Sequence, residues 1–396
     1  METPSLDLYV SEMSPSDRHG GGLTLQRVLG SDLERIRLFA HVSRFASDHP
    51  APCLALDNTL SMPGWCESNR VRKWFGCRPV AWLGRQPVFQ RWHGHRCAKR
   101  IAHFFTDREP LRALVCPQNV ASLYAMEELR RIRRIKYATW VMDDHLVRWS
   151  HGAWRYAAGI EPVFASHLRN AASVIVISPA MGELYRERFG VDSEVIFGPA
   201  DATPAPTASA AQPTLGPGLN LGYFGSLSPW QIDPLGLIAD RLHAIHANLE
   251  IYSASTELPR ELRRPEVCLK GRLPAAKVPE TMRSCDAVLL PISFKPELRH
   301  MSELNIATKL SECIASGTVT LVLGPPYAAM VRFLKPTGAA CVLSGGGPGE
   351  WSEVAARLKD KEWRHDVLER AKALVRNELS TETMRGRWRE ACEALS

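Results

Sequence analysis

Residues 296–317, PELRHMSELNIATKLSECIASG, constrain this chain more than any other stretch. Before them, DAVLLPI (Asp286 to Ile292) is apolar for the length of a strand. A second apolar run, Val319 to Leu323, follows and ends in Gly324-Pro325-Pro326. Between the two, the pattern predicts a helix that opens near Ala307-Thr308-Lys309, carries Glu312 and stops at Gly317. Strand, polar loop, helix and strand make a βαβ unit with parallel strands. A hydroxyl, an ammonium and a carboxylate (Thr308, Lys309, Glu312) fall in the first helical turns, beyond the C-terminal end of a strand. Open α/β sheets bind ligands there, and a helix N-terminus favours phosphate through its free N–H groups and dipole. Lys309 supplies a point charge for a diphosphate, and Glu312 an acceptor for a ribose diol. The same residues also read as a capped helix with an i,i+3 Lys–Glu surface pair. The segment alone leaves both readings open.

At 396 residues, the chain has room for two domains with substantial cores. Its 45% hydrophobic and 23% charged content is ordinary for a globular protein. No stretch approaches the roughly 20 apolar residues of a membrane span, and the acidic opening METPSLDLYVSEMSPSD lacks the layout of a signal peptide. The 10 cysteines form no CxxC pair and no regular spacing. That pattern points away from a zinc site or a disulfide framework and towards reduced thiols in the cytosol. Residues 202–218, ATPAPTASAAQPTLGPG, are small, uncharged and Pro-rich, the composition of an extended linker. The expected organisation is a domain over 1–201, the linker 202–218, a second domain over 219–375 and a terminal helical segment over 376–396. No internal repeat is visible.

In the first half, a strand over Leu6 to Val10 leads through a polar loop ending in Gly20-Gly21-Gly22 to a helix over Leu23 to Leu29. Such a loop lets backbone approach a ligand closely, and it is equally an ordinary turn. Further on, the strand Tyr137 to Met142 runs into Asp143-Asp144-His145, either a chemical cluster or a turn in which Asp caps a helix. Val174 to Ile177 reads as a strand with Ser178 at its end, Ala180 to Phe189 as a helix, and Glu194 to Phe197 as a strand. The second half opens with LNLGYFGSLSPWQID, a strand ending in Gly222-Tyr223-Phe224-Gly225-Ser226, with Trp230 ahead of a helix from about Pro234. Strands over Leu249 to Ser253 and Val267 to Leu269 follow, the second running into Gly271-Arg272, and then a helix over Lys277 to Cys285.

The segment NIATKLSECIASG resembles the donor-binding helix of retaining, nucleotide-sugar-dependent GT-B glycosyltransferases, in particular bacterial teichuronic-acid and exopolysaccharide types. Asn305, Lys309, Leu310, Glu312, Ala315 and Gly317 match, while Cys313 replaces an aromatic. Residues 171–201 are similar to the same family through Ser178, Met181, Gly190, Val195, Ile196 and Asp201, and the opening of the second half through Gly225, Trp230 and Asp233. The resemblance implies an α/β, GT-B fold, two Rossmann-like domains facing each other across a cleft, with a C-terminal helix crossing back to the first domain. It implies transfer of a sugar from a nucleotide-sugar donor to a hydroxyl acceptor, with retention, in cell-surface polysaccharide or glycoconjugate synthesis. No cofactor and no metal are implied. The donor residues carried over are Gly21, Gly22, Gly225, Ser226, Asn305, Thr308, Lys309 and Glu312, with Arg272 and Leu273 holding the nucleobase edge through backbone. Asp143, Asp144 or His145 would lie under the transferred sugar. Two departures stand out. Leu304 occupies the position of a second Glu found in many relatives, and no Lys or Arg lies between Asn220 and Asp240, where the broader family clamps the diphosphate. The phosphates would then rest on the backbone N–H groups of Gly225 and Ser226 and on Lys309, at a helix start expected to face solvent. These departures keep a second reading open, a catalytically degenerate sugar-binding or scaffold protein.

The formal net charge is +7, and the excess concentrates in residues 68–106. There Arg70, Arg72, Lys73, Arg78, Arg85, Arg91, Arg96, Lys99 and Arg100 meet no acid and are interleaved with Trp74, Phe75, Trp82, Phe89, Trp92 and Phe104. Three readings fit: a solvated basic face around buried aromatics, an anionic membrane surface or lipid-linked acceptor, or single-stranded nucleic acid. Nucleic acid is the least expected partner. The location that follows is the cytoplasm, with peripheral attachment to the inner face of the plasma membrane as one form of it.

Overall fold

The computed structural model describes residues 6–16, 20–43, 58–64, 86–106, 109–143, 159–201, 218–345 and 347–396. They divide into two units, Met1–Gly198 with Met384–Ser396, and Pro199–Thr383. Of the linker expected at 202–218, only Gly218 is among the described residues.

The first unit holds β1 (Leu8–Ser11), β2 (Leu38–Ser43), β3 (Thr59–Pro63), β4 (Leu111–Cys116), β5 (Ile135–Val141), β6 (Ser173–Val176) and β7 (Glu194–Val195). They form one sheet in the order β3-β2-β1-β4-β5-β6-β7. Every pairing is parallel, with Leu8 beside both Leu38 and Ala113. Parallel strands are covered on both faces, which is why the central ones read as unbroken apolar runs such as LRALVC. One face of the sheet packs Leu8, Val10, Ala40 and Val115 against Cys97, Ala98 and Ile101 of the helix Pro87–Phe104 and Ala121, Ala125 and Leu129 of the helix Val120–Ile132. The two helices touch closely at Gly94. A Cβ there would stand 2.8 Å from Ala125 N and 2.9 Å from Ala121 O, so a side chain would drive backbone into backbone.

The chain returns to this unit at its end. The helix Thr381–Glu393 brings Trp388 into a stack on Trp140, with ring centroids 6.2 Å apart, and the Trp388 indole N–H donates to Asp32 at 3.1 Å. Arg385 Nε donates to the Arg27 carbonyl at 2.9 Å, and Arg112 Nε to the Leu395 carbonyl at 3.1 Å. Trp388 is thus fully buried and serves packing.

The second unit holds β8 (Leu219–Phe224), β9 (Ala247–Tyr252), β10 (Val267–Leu269), β11 (Ala287–Pro291), β12 (Val319–Leu323) and β13 (Cys341–Leu343), all parallel. Their order is β10-β9-β8-β11-β12-β13. Counted along the chain this is 3-2-1-4-5-6, the doubly wound order whose direction reverses between the first and fourth strands. The reversal therefore lies between β8 and β11, and in the first unit between β1 and β4. Asp286, at the start of β11, ties the second sheet together. It accepts from Asn220 N at 2.8 Å and, itself buried, pairs with the partly buried Arg364 at 3.4 Å.

Three sequence boundaries shift. Gly20–Gly22 form the first turn of the helix Gly20–Leu29, so the glycine run is not a loop ahead of it. Glycine is a weak helix former, but a first turn tolerates it. Trp230 sits inside the helix Pro229–Ala239, which begins with proline at its first position, where that residue's missing N–H costs nothing. The helix expected from Ala307 begins at Leu310 and runs only to Ala315, leaving Ala307 to Lys309 as a turn before it.

Candidate functional site

The reversal point of the second sheet is where the sequence placed its strongest signal. β8 ends in Tyr223-Phe224, and Gly225 and Ser226 follow. The Tyr223 hydroxyl donates to the Ser226 carbonyl at 2.7 Å and fixes the turn. Lys309, on the crossover from β11 to β12, reaches beneath this turn. Its Nζ donates to the Phe224 carbonyl at 2.9 Å and lies 4.3 Å from the centre of the Tyr223 ring. The space it occupies exists because residue 225 is glycine: with φ at +154°, a Cβ there would collide with the Lys309 ammonium.

Lys309 was expected at a solvent-facing helix start, and the structure corrects this. The helix begins one residue later, so the Lys309 side chain turns inward under β8. The ammonium has no carboxylate partner among the described residues. Burial pulls its pKa down to about 8, only partly opposed by Cys313 and Glu312 on the following helix. An ammonium has three donors, and one carbonyl with one ring face is meagre compensation for lost water.

The other sequence-predicted residues fall around this group unevenly. Glu312 lies in the first turn of the helix and is partly exposed, and Thr308 is exposed. Asn305 is half-buried, with its side-chain carbonyl oxygen enclosed and unpaired among the described residues. The Gly225 N–H, expected to face an anion, is already donated to the Tyr252 carbonyl at 3.0 Å. Ser226 is exposed, its hydroxyl 3.2 Å from that of Ser228. Arg272 and Leu273 follow β10 at the sheet edge, two strands from β8, and share no hydrogen bond with the Lys309 group. Leu304 is buried, so this position contributes packing.

In the first unit, Gly21 and Gly22 stand in the helix turn after β1, and the Met13 sulfur occupies the place a Gly21 Cβ would take. Asp143 lies two residues beyond β5 and is exposed; Asp144 and His145 fall outside the described residues.

Two groups had no signal in the sequence. Lys295 and Ser293 are the first: Asp233, matched to the family in the sequence but given no role there, accepts from the Ser293 hydroxyl at 2.8 Å and pairs with Lys295 at 3.1 Å from the helix Pro229–Ala239. Ser293 and Lys295 follow β11, the other strand of the reversal point, so a second cation stands beside the site. Sheet order brings it there, and a search of the loop after β8 alone misses it. In the first unit, Asn119 is fully buried and caps the helix Val120–Ile132 by accepting from Ser122 N at 2.9 Å. Its amide donates to Glu12 and to the Val42 carbonyl, both at 2.7 Å, fixing a carboxylate at the β1–β4 reversal. A lone acid after a short strand carries no signal of this. Among the described residues, no group of three or more His, Cys, Asp or Glu side chains is placed to hold a metal ion.

Two doubly wound parallel sheets, with the last residues returned to the first unit, define the class: the fold is GT-B, that of a large group of glycosyltransferases. Among solved structures, the Anabaena protein HepE in complex with UDP-glucose is similar over 98% of this chain and 100% of its own, at 15% identity and a TM-score of 0.64. Sucrose-phosphate synthase from Thermosynechococcus elongatus is similar over 99% and 100%, at 12% identity and a TM-score of 0.69. The trehalose-6-phosphate synthase OtsA is similar over 98% and 99%, at 8% identity and a TM-score of 0.62. No family model matches the chain, and no curated protein does.

Proposed function

We propose that this chain is a glycosyltransferase that moves a sugar from a nucleotide-sugar donor to a hydroxyl acceptor, with retention, in the building of cell-surface polysaccharide or glycoconjugate. The observation that carries the reading is the largely desolvated Lys309 ammonium, which among the described residues has no carboxylate in ion-pair contact and feels Glu312 only at a distance, at the reversal point of a doubly wound sheet. A diphosphate arriving there would supply the missing charge, and its binding would be strengthened by the low local dielectric. The ligand class follows HepE, which was solved with UDP-glucose and with UDP and glucose.

In this reading Lys309 and the Ser226 N–H hold the diphosphate, Lys295 lies close by, and Glu312 accepts from the ribose hydroxyls. Asn305 and Thr308 line the sugar side, and the backbone of Arg272 and Leu273 meets the nucleobase. The bond between the sugar's anomeric carbon and the phosphate oxygen breaks, and its electron pair stays on the diphosphate. The acceptor hydroxyl attacks the same face and passes its proton to the departing phosphate oxygen. Charge stabilisation and positioning supply the rate, so no metal and no pair of carboxylates is invoked. Asp143, Asp144 and His145 are assigned to the transferred sugar, and the acceptor to the first unit. We place the protein in the cytoplasm, with residues 68–106 meeting an anionic membrane surface and a lipid-linked acceptor there. No helix among the described residues is long and apolar enough to cross a membrane.

The test is thermal stabilisation by UDP-, GDP-, TDP- and ADP-sugars. One of them at about 100 times its Kd should stabilise the protein by about 2.7 kcal/mol. Silence from all four in the wild type would overturn the reading. The buried Leu304 favours a second reading, a binder without turnover. Nucleotide-sugar binding with neither transfer nor donor hydrolysis would select it.

A further inference from the structure

The described half of the basic stretch folds as the helix Pro87–Phe104, which contains no acidic residue. Its inner face is spent on the core through Cys97, Ala98 and Ile101. On the outer face, Val88, Trp92, Arg96, Lys99 and His103 follow one another at spacings of three and four residues. They make one continuous stripe about 23 Å long at 1.5 Å per residue. Val88 is 75% exposed and Trp92 44% exposed, an unusual pair of apolar groups to leave in water on one helix face. Arg91 flanks the stripe, and the Arg96 guanidinium lies over the Trp92 ring at 4.8 Å. Two acids on the neighbouring helix are already engaged: Glu128 pairs with His95 at 3.1 Å and with Arg131, and Glu127 pairs with Arg131 at 2.7 Å. They leave the field of the stripe positive.

We propose that the Val88–Trp92–Arg96–Lys99–His103 face of this helix is the surface by which the protein docks on an anionic phospholipid bilayer, with Trp92 and Val88 entering the headgroup boundary. It rests on the membrane reading above, giving that reading a specific surface, and it is independent of turnover. Charge complementarity selects the partner. Arginine and lysine attract the anionic surface, while an indole prefers the water–hydrocarbon boundary to either phase. A single-stranded nucleic acid would take the same cations but prefers aromatic faces open for stacking, and the Trp92 face is covered by Arg96.

The experiment is co-sedimentation of the full chain with phosphatidylglycerol-containing vesicles and with phosphatidylcholine vesicles. It is repeated as the Debye length shortens from about 30 Å at 0.01 M salt to about 3 Å at 1 M. The wild type should bind only the anionic vesicles and release as salt rises. Arg96→Ser with Lys99→Ser should weaken binding about thirtyfold, since each base contributes close to a factor of five. Trp92→Ala should weaken it about tenfold while leaving the salt dependence of the remaining binding unchanged. Equal binding to both vesicle types, no loss in either variant, or retention on single-stranded RNA instead of vesicles would each overturn the proposal. The same variants are tested for thermal stabilisation by nucleotide sugars, which docking does not require. A chain that docks without that response fails the glycosyltransferase reading and not this one.

Discussion

Lys309 pays for its position in the free protein. Its pKa of about 8 when folded lies below the 10.5 of an ordinary lysine. Between those values the unfolded chain holds the proton that the folded one has lost, so this group's contribution to stability rises with pH across that window. Below it the partly buried charge weighs against folding. Lys309→Met should therefore be no less stable than wild type in urea at pH 7, even though calorimetry should find donor binding weakened by about 1.5–3 kcal/mol. Retained affinity in that variant would remove Lys309 from the site. Binding of a nucleoside diphosphate should also weaken from pH 7 to pH 9 as the ammonium deprotonates, and should be accompanied by proton uptake near pH 8. Lys309→Arg should lack both effects. Gly225→Ala gives an independent check: its methyl would displace the ammonium, so affinity should fall by an amount similar to that in Lys309→Met. The sequence made the identity of Lys309 legible. Its direction was not, because that depends on where a six-residue helix begins and on Tyr223 and Gly225, which are distant in the chain.

At the scale of elements, Gly94 is a sharp probe. Alanine is the better helix former, yet Gly94→Ala would press against backbone atoms of the facing helix, which cannot step aside as a side chain does. It should lower stability by about 1–3 kcal/mol, the range for overpacking, read as a lower urea midpoint with unchanged slope. A gain in stability would mean that the two helices are not this close. Strands such as β11 and β12 were legible because burial on both faces leaves an unbroken apolar run, whereas the equally buried β2 was missed, its run LFAHVS being interrupted by His41 and Ser43. Helix starts were less so. The Gly20–Gly22 run reads as loop because glycine disfavours helix, and nothing local announces Met13, which fills the space above it. The helix Pro229–Ala239 was expected only from about Pro234; Pro229 after Ser228 suits a first position, but the interior Pro234 drew the expected boundary towards itself.

On the whole-molecule scale, both units wind their strands in the same order, yet no repeat shows in the sequence. Topology depends on which runs are apolar and in what succession, and many residues satisfy that. The reversal points, Phe224 with Ser293 in one unit and Ser11 with Asn119 in the other, exist only through sheet order. That is why Lys295 and Glu12 were invisible in the chain and plain in the fold. Trp388 binds the end of the chain to the first unit, so Trp388→Ala should cost about 3–5 kcal/mol. The loss should appear as a lower melting temperature of the full chain, and an unchanged one would show that the Trp140 stack is idle. The return of residues 384–396 also sets a timetable. A ribosome adding about 5–20 residues per second finishes the strands of the first unit and then spends roughly 10–40 s on the second before Trp388 emerges. For that interval the Trp140 face of the nascent first unit lacks its cover, which makes it the place where a chaperone would have to wait.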